Sequence, residues 1–167
     1  KHDRNLPLLE LAVRDTPERV FLWAHLGETL AGLGRLDAAE TALRTSIQTA
    51  RDSTDPKQRA DGATAWLHLI HLRDWPDGAA LTLAEEALAD HPTHRGLHFA
   101  LALQLFANRR AAEARPLVEA LLRADAERFL DPLVASDKRV FTEWPAVFLG
   151  DLLLRSADPA GARPPSF

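Results

Sequence analysis

The chain contains no cysteine and no methionine among its 167 residues, and its lysines occur only at positions 1, 57 and 138. The absence of cysteine excludes a disulfide framework, a thiolate metal site and a cysteine nucleophile. Without a methionine the sequence does not begin at its own start codon, so we expect either a processed chain or a fragment of a larger protein, and we favour the fragment. Long basic runs are also missing and the net charge is -4, so nucleic acid is not an expected partner.

Long hydrophobic runs are absent as well. No stretch reaches the roughly 18 consecutive apolar residues that indicate a membrane-spanning helix, and the opening "KHDRNLPLLE" lacks a signal-peptide pattern. We therefore expect a cytoplasmic protein without a membrane partner. The composition is 46% hydrophobic and 26% charged. It is dominated by good helix formers and poor in β-branched residues, which predicts an all-α fold.

Residues 23–47, "WAHLGETLAGLGRLDAAETALRTSI", carry the pattern of a helical hairpin. A first helix is indicated by large and small residues at i, i+3, i+4 and i+7, namely Trp23, Leu26, Gly27 and Leu30. Gly32 and Gly34 are expected to end and cap this helix. We expect Asp37 to cap a second helix, whose inner face carries Ala39, Ala42, Leu43, Ser46 and Ile47.

The same pattern returns along the chain. Ala80 and Ala114 are 34 residues apart, and so are Leu88 and Leu122. Small residues also recur in pairs twelve positions apart, which are Gly27 with Ala39, Ala102 with Ala114, and Gly150 with Ala162. A small residue on each helix lets the two helices of a hairpin cross closely, which offsets the poor helix propensity of glycine.

This order of a large residue, Leu-Gly, a glycine turn, Ala-Leu and Pro resembles the tetratricopeptide repeat (TPR). The resemblance implies an all-α, helical-hairpin solenoid, that is, an α-α superhelix. It divides the chain, as a single TPR-like array over 1–167, into a partial repeat at 4–17, repeats at 20–50, 60–92 and 94–124, an inserted segment at 125–138 and a terminal helix at 141–157.

Two segments interrupt the period. "RDSTDPK" (51–57) is predicted to lengthen the link after the first full repeat, and the segment 125–138 lengthens the link before the terminal helix. The register of the first helix in the second repeat, about 60–73, stays open. Trp66, Leu69 and Ile70 favour one register, whereas counting back 34 residues from the next repeat favours another.

The resemblance implies that the first helices of the repeats line a concave surface, where a partner binds. The inward positions are Phe21, Ala24, Glu28, Phe99, Leu103, Phe106, Trp144, Val147 and Asp151. Chaperone-binding repeats of this family carry basic and amide side chains there, whereas these positions are apolar or acidic. We therefore expect a protein or peptide partner, or another domain of the same chain. In the alternative interpretation, Phe99 and Trp144 only pack against neighbouring helices.

No motif predicts catalysis, because the sequence has neither a GxSxG motif nor a glycine-rich phosphate loop. Several histidines are spaced three or four residues apart, as zinc ligands on one helix face would be; they are His68, His71, His91, His94 and His98. His91 is expected in a turn, however, and no HExxH signature is present. We expect partly packed or exposed histidines, no metal, no cofactor and no enzymatic activity.

A second resemblance concerns the first 34 residues. The opening, with Arg4, Asn5, Leu8, Leu9 and Glu10, is similar to the segment that follows the catalytic domain in some bacterial family 2 glycosyltransferases. The favoured function is a non-catalytic interaction scaffold. The alternative that this resemblance implies is an accessory or acceptor-recognition domain of a glycosyltransferase whose catalytic domain lies outside the chain.

Overall fold

The computed structural model describes residues 2–123 and 145–151, and every regular element among them is helical. The α-helices in this part of the chain are α1 (His2–Asp15), α2 (Val20–Gly32), α3 (Leu36–Asp52), α4 (Pro56–Ile70), α5 (Ala79–Asp90), α6 (Arg95–Ala107) and α7 (Ala111–Arg123). A 3₁₀ turn, Pro76–Gly78, precedes α5, and residues 145–151 are also helical. The all-α prediction is confirmed. The inserted segment 125–138 lies outside the described residues, as does the rest of the predicted terminal helix.

The chain divides between Pro92 and Thr93 into two compact units. Unit 1 contains α1 to α5, and unit 2 contains α6, α7 and the helical residues 145–151. The division falls between the predicted repeats 60–92 and 94–124. The stacking of all the hairpins into one solenoid over 1–167 stays a prediction.

The helices of unit 1 pack as the alternating large and small residues predict. α1 packs on α2, α2 on α3, and α4 packs against both α2 and α3, while α5 contacts α4. Five residues from three helices form a buried cluster at the centre of this packing, namely Val13, Leu26, Leu30, Ala39 and Ala42. Burying a leucine or valine side chain contributes about 1.5–3 kcal/mol each, so these apolar faces hold the helices together.

Gly27 lies where α2 meets α3. A methyl group added to Gly27 would come within 2.6 Å of both Cγ and Cδ2 of Leu43, and within 3.3 Å of the carbonyl oxygen of Ala39. Close-packed interiors leave no room for such an approach unless a neighbour moves. The predicted close crossing is therefore confirmed, with Leu43 as the nearest neighbour beside the predicted Ala39.

The turn between α2 and α3 depends on Gly34, whose φ of +73° is left-handed. The backbone N–H of Gly34 donates to Ala31 and that of Arg35 donates to Leu30, both at 2.9 Å. This pair of hydrogen bonds is a Schellman motif, which favours glycine at its left-handed position. α2 ends at Gly32, as predicted, but its C-cap residue is Leu33, so the prediction that Gly32 also caps the helix is wrong.

The prediction that Asp37 caps α3 is also wrong. α3 begins at Leu36, and its N-cap is Arg35, whose side chain makes no capping hydrogen bond. The carboxylate of Asp37 instead accepts a hydrogen bond from Arg73 at 3.0 Å, and Arg73 also pairs with Glu40 at 3.1 Å. In the first turn of α3, Asp37 lies near the positive end of the helix dipole.

Segment 51–57, predicted as a lengthened link, is mostly helical. α3 continues to Asp52 and α4 begins at Pro56, so only residues 53–55 separate the two helices. Asp55 is the N-cap of α4, and its carboxylate accepts the backbone N–H of Lys57 at 2.9 Å. Proline suits the first helical position, because the missing N–H would have no acceptor within the helix.

α4 is held in unit 1 by buried side chains and by a hydrogen bond to α2. Trp66, Leu69 and Ile70 are all buried, which favours the register that these residues indicated. The side-chain oxygen of Gln58 accepts the backbone N–H of Val20 at 3.0 Å. Val20 is the first residue of α2, and its N–H has no acceptor within its own helix.

In unit 2, α6 and α7 form a second hairpin. Ala102 and Ala114, the predicted pair of small residues, are both fully buried. The third predicted pair is Gly150 with Ala162, and Ala162 lies outside the described residues. No described atom lies within 4 Å of a methyl group added to Gly150.

The turn between α6 and α7 repeats the turn of the first hairpin with a different residue. Arg109 has a left-handed φ of +62°. Its N–H donates to Phe106 at 3.0 Å, and the N–H of Arg110 donates to Leu105 at 2.8 Å. Arg109 thus occupies the position that Gly34 has in the first hairpin, although an arginine adopts this conformation at an energetic cost.

Candidate functional site

The residues predicted to bind a partner are divided between the two units. Phe21, Ala24 and Glu28 of α2 belong to unit 1, whereas the predicted residues of α6 and of the helical stretch 145–151 belong to unit 2. Trp144 lies outside the described residues. Within each unit, these residues meet side chains that were not predicted to take part.

In unit 1 the predicted residues share a surface with α4, which packs beside α2. We define the α2–α4 face by Phe21, His25, Glu28 and His68. The ring of Phe21 meets that of His25 edge-on, with centroids 6.1 Å apart. His25 Nδ1 lies 3.4 Å from a carboxylate oxygen of Glu28. Spacings of four and three residues place these side chains on one side of α2.

His68 joins this face from α4. Burial lowers the pKa of His68 below its ordinary value, the negative charge of Glu28 raises it, and a positive charge on His25 lowers it further. The imidazole of His68 is half-buried and is neutral at pH 7 because its pKa is lowered. The face therefore combines an aromatic ring, a neutral imidazole and a carboxylate.

One of the three residues of α2 that were predicted to bind a partner is not accessible. Ala24 is only 3% exposed, so its methyl group contributes to the core and offers no surface to a partner. Phe21 is half-buried, and the guanidinium of Arg19 lies 5.4 Å from its ring centroid. Such a cation–π contact restrains the ring while leaving part of it accessible.

In unit 2 the predicted aromatic residues pack on Phe148. Phe99 and Phe106 meet Phe148 edge-on, with centroid distances of 6.1 and 5.1 Å. Phe148 is buried, and the two α6 rings are half-buried. The contact of Phe99 agrees with the alternative interpretation, in which this residue packs against a neighbouring helix. Edge-on aromatic pairs contribute about 0.5–1.5 kcal/mol beyond the area they bury.

The remaining predicted residues of unit 2 differ in accessibility. Val147 is 72% exposed, so its apolar side chain is open to a partner. Leu103 and Asp151 are half-buried.

Sequence reasoning missed His25 and Phe148 as members of these surfaces, and it considered His68 only as a possible metal ligand. A signal for His25 was present, because positions 21, 25 and 28 follow the helical spacing i, i+4 and i+7. No comparable signal identified Phe148, since its contacts join residues more than forty positions apart.

Two of the other histidines have local structural roles. His91 lies just after α5, as predicted, and is its C-cap residue. His94 is the N-cap of α6, and its Nδ1 accepts the backbone N–H of Leu97 at 3.3 Å. Within residues 2–123 and 145–151, no group of three metal-ligating side chains is placed to hold an ion. None of the helices in those ranges is long and apolar enough to cross a lipid bilayer.

No family model matches the sequence, and no curated protein matches it. The resemblances to the tetratricopeptide repeat and to the segment that follows family 2 glycosyltransferase domains therefore stay predictions.

Proposed function

We propose that the chain is a non-catalytic scaffold that binds a protein or a peptide through surfaces built from TPR-like hairpins. The observation that carries this proposal is the packing of α4 beside α2. These two helices are the first helices of consecutive predicted repeats, and their adjacency creates the α2–α4 face. Stacked hairpins of this kind bind partners along the surface that their first helices share.

The side chains of the α2–α4 face favour a particular partner chemistry. Phe21 offers a restrained aromatic ring to an apolar anchor, and Glu28 is exposed and carries a negative charge. Because His68 is neutral at pH 7, it does not oppose a nearby positive charge on the ligand. Arg19 places a positive charge at Phe21, so a basic ligand group is favoured at Glu28, about two helical turns away. We infer that the preferred ligand is a peptide segment with an apolar side chain for Phe21 and a lysine or arginine for Glu28.

Selection of peptides against the full chain from a random display library tests this proposal. The selected sequences are expected to combine an apolar residue with a basic one. Phe21→Ala is expected to weaken their binding by about 2 kcal/mol if Phe21 is a central contact. Glu28→Gln is expected to weaken binding less, and to reduce the dependence of the affinity on salt.

Arg44→Gln is the matched control, because Arg44 is exposed on α3 and pairs with Glu40 at 2.8 Å. Its effect on affinity is expected to be negligible. The assignment to the α2–α4 face is wrong if Arg44→Gln abolishes binding while Phe21→Ala and Glu28→Gln leave the affinity unchanged.

A further inference from the structure

Unit 1 also contains an open cleft, which is lined by arginine and aliphatic side chains. It has a volume of about 290 Å³ and is lined by the C-terminal parts of α3 and α5 and by one side of α4. No residue of α2 lines it, so it is distinct from the α2–α4 face. Its apolar walls include Ile47, Ala50 and Ala89.

One wall of the cleft is held in place by Trp66, Arg51 and Asp90. The indole N–H of Trp66 donates to Asp90 Oδ2 at 3.1 Å, and Arg51 Nε donates to the same oxygen at 2.8 Å. The Arg51 guanidinium also lies 5.4 Å from the Trp66 ring centroid. Trp66 is only 2% exposed, whereas Arg51 and Asp90 are exposed, so the buried indole fixes the position of the carboxylate that both donors share.

Arg59 contributes a second positive charge to the cleft. It lies on the same side of α4 as Gly62 and Trp66, at spacings of three and seven residues. Arg59 is exposed and donates only to the carbonyl oxygen of Thr54, at 3.3 Å. Among the described residues, no carboxylate pairs with Arg59.

The charges of the cleft favour a ligand with a single negative charge. Arg51 pairs with Asp90 at 2.8 Å, which leaves Arg59 as the cation without a carboxylate partner among the residues that line the cleft. Burial lowers the pKa of His91, Asp90 raises it, and Arg51 lowers it, so His91 adds no positive charge at pH 7. One such cation matches a ligand with one negative charge, whereas a second negative charge on the ligand would find no cationic partner among the lining residues.

We propose that this cleft binds a small monocarboxylate with a short branched aliphatic body. The carboxylate pairs with Arg59, and the aliphatic body lies against Ile47, Ala50 and Ala89. Arginine suits this role because its planar guanidinium can donate two hydrogen bonds to one carboxylate. The volume of the cleft, about 290 Å³, lies just below the range of about 300–1,000 Å³ that ligand pockets occupy, which restricts the ligand to a small molecule.

Titration of the full chain with 4-methylpentanoate, followed by indole N–H signals in nuclear magnetic resonance spectra, tests the proposal. The chain has 4 tryptophans, and the spectrum of Trp66→Phe identifies the Trp66 signal. That signal is expected to shift saturably with the carboxylate. Trp23 and Trp75 are internal references, since their indoles donate to the carbonyl oxygens of Pro17 and Leu69 outside the cleft.

Two comparisons make the test specific. The neutral isostere 4-methylpentanamide is expected to cause no saturable shift. Arg59→Gln is expected to weaken binding of the carboxylate about tenfold, which corresponds to a hydrogen bond to a charged group. Arg44→Gln is the same change outside the cleft, and it is expected to leave the affinity for the carboxylate unchanged. The proposal is overturned if the acid causes no saturable shift, if the amide binds equally well, or if the two arginine variants behave alike.

Discussion

The hydroxyl of Ser46 donates a hydrogen bond to the carbonyl oxygen of Val20 at 2.8 Å, and both residues are fully buried. The bond joins the middle of α3 to the first turn of α2. Position 46 is on the inner face predicted from the sequence, between apolar residues, and the structure gives a reason for a polar side chain there. Buried hydroxyls are tolerated when they find a partner.

Ser46→Ala is expected to reduce the free energy of unfolding by about 0.5–1.5 kcal/mol, the net contribution of a typical hydrogen bond. Urea unfolding followed by circular dichroism measures the change. Thr41→Ala is a suitable control, because Thr41 is exposed and its hydroxyl donates only to Asp37 within the same helix. Equal losses in the two variants would contradict a special contribution from the bond to Val20.

Gly27→Leu is expected to destabilise unit 1. Overpacking a tight crossing commonly costs about 1–3 kcal/mol, and the gain in helix propensity offsets at most about 1 kcal/mol. Thermal unfolding is expected to show a lower midpoint than that of the parent. Gly150→Ala is the control, because the described atoms leave space around Gly150, so helix propensity alone predicts equal or higher stability. A midpoint for Gly27→Leu at or above the parent value would refute the crossing with Leu43.

Arg109→Gly is expected to stabilise the α6–α7 hairpin by about 1 kcal/mol. The left-handed conformation at φ +62° costs a non-glycine residue about 1–2 kcal/mol. Glycine removes this cost, but its greater freedom in the unfolded chain cancels part of the gain in stability. The reciprocal change Gly34→Ala is expected to destabilise, since the turn after α2 needs the same conformation. Denaturant midpoints of both variants measure these effects. Arg109→Gly fails as a prediction if it lowers the midpoint.

The pKa of His68 is expected to lie below its ordinary value of 6.5. The folded state then binds this proton less tightly than the unfolded state, so this group reduces stability as the pH falls below about 6.5. Nuclear magnetic resonance titration of the imidazole measures the pKa. Glu28→Gln is expected to lower it further, whereas Glu113→Gln in unit 2 is expected to have no effect. An unchanged pKa in Glu28→Gln would contradict the placement of His68 beside Glu28.

Local patterns predicted the helices and their crossing well. The spacing of Trp23, Leu26 and Leu30 identified α2, and the pairing of Gly27 with Ala39 identified the contact with α3. These signals are short-range, because helical periodicity and turn residues act within one hairpin. Arg109 shows the limit of this reasoning, since the second turn adopts a left-handed conformation without the glycine that would indicate it.

The candidate surfaces were harder to predict, because they depend on contacts between distant parts of the chain. Phe99 and Phe106 were placed on one helix correctly, but their common partner Phe148 follows only from the folded arrangement. Ala24 was also placed on the correct helix, α2, but it was predicted to be accessible to a partner and its side chain is buried. Helical spacing gives the direction of a side chain relative to its own helix, and packing decides whether a neighbour covers it.

The hydrogen bond from the N–H of Val20 to Gln58 has a consequence for hydrogen–deuterium exchange. Amides in the first turn of a helix usually exchange quickly, because they lack an acceptor within the helix. The acceptor of Val20 is a side chain of α4, 38 residues further along the chain, so exchange at this amide requires the Gln58 side chain to release it. Its exchange rate therefore reports the breaking of a contact between α2 and α4, and a ligand that bridges the two helices would slow it.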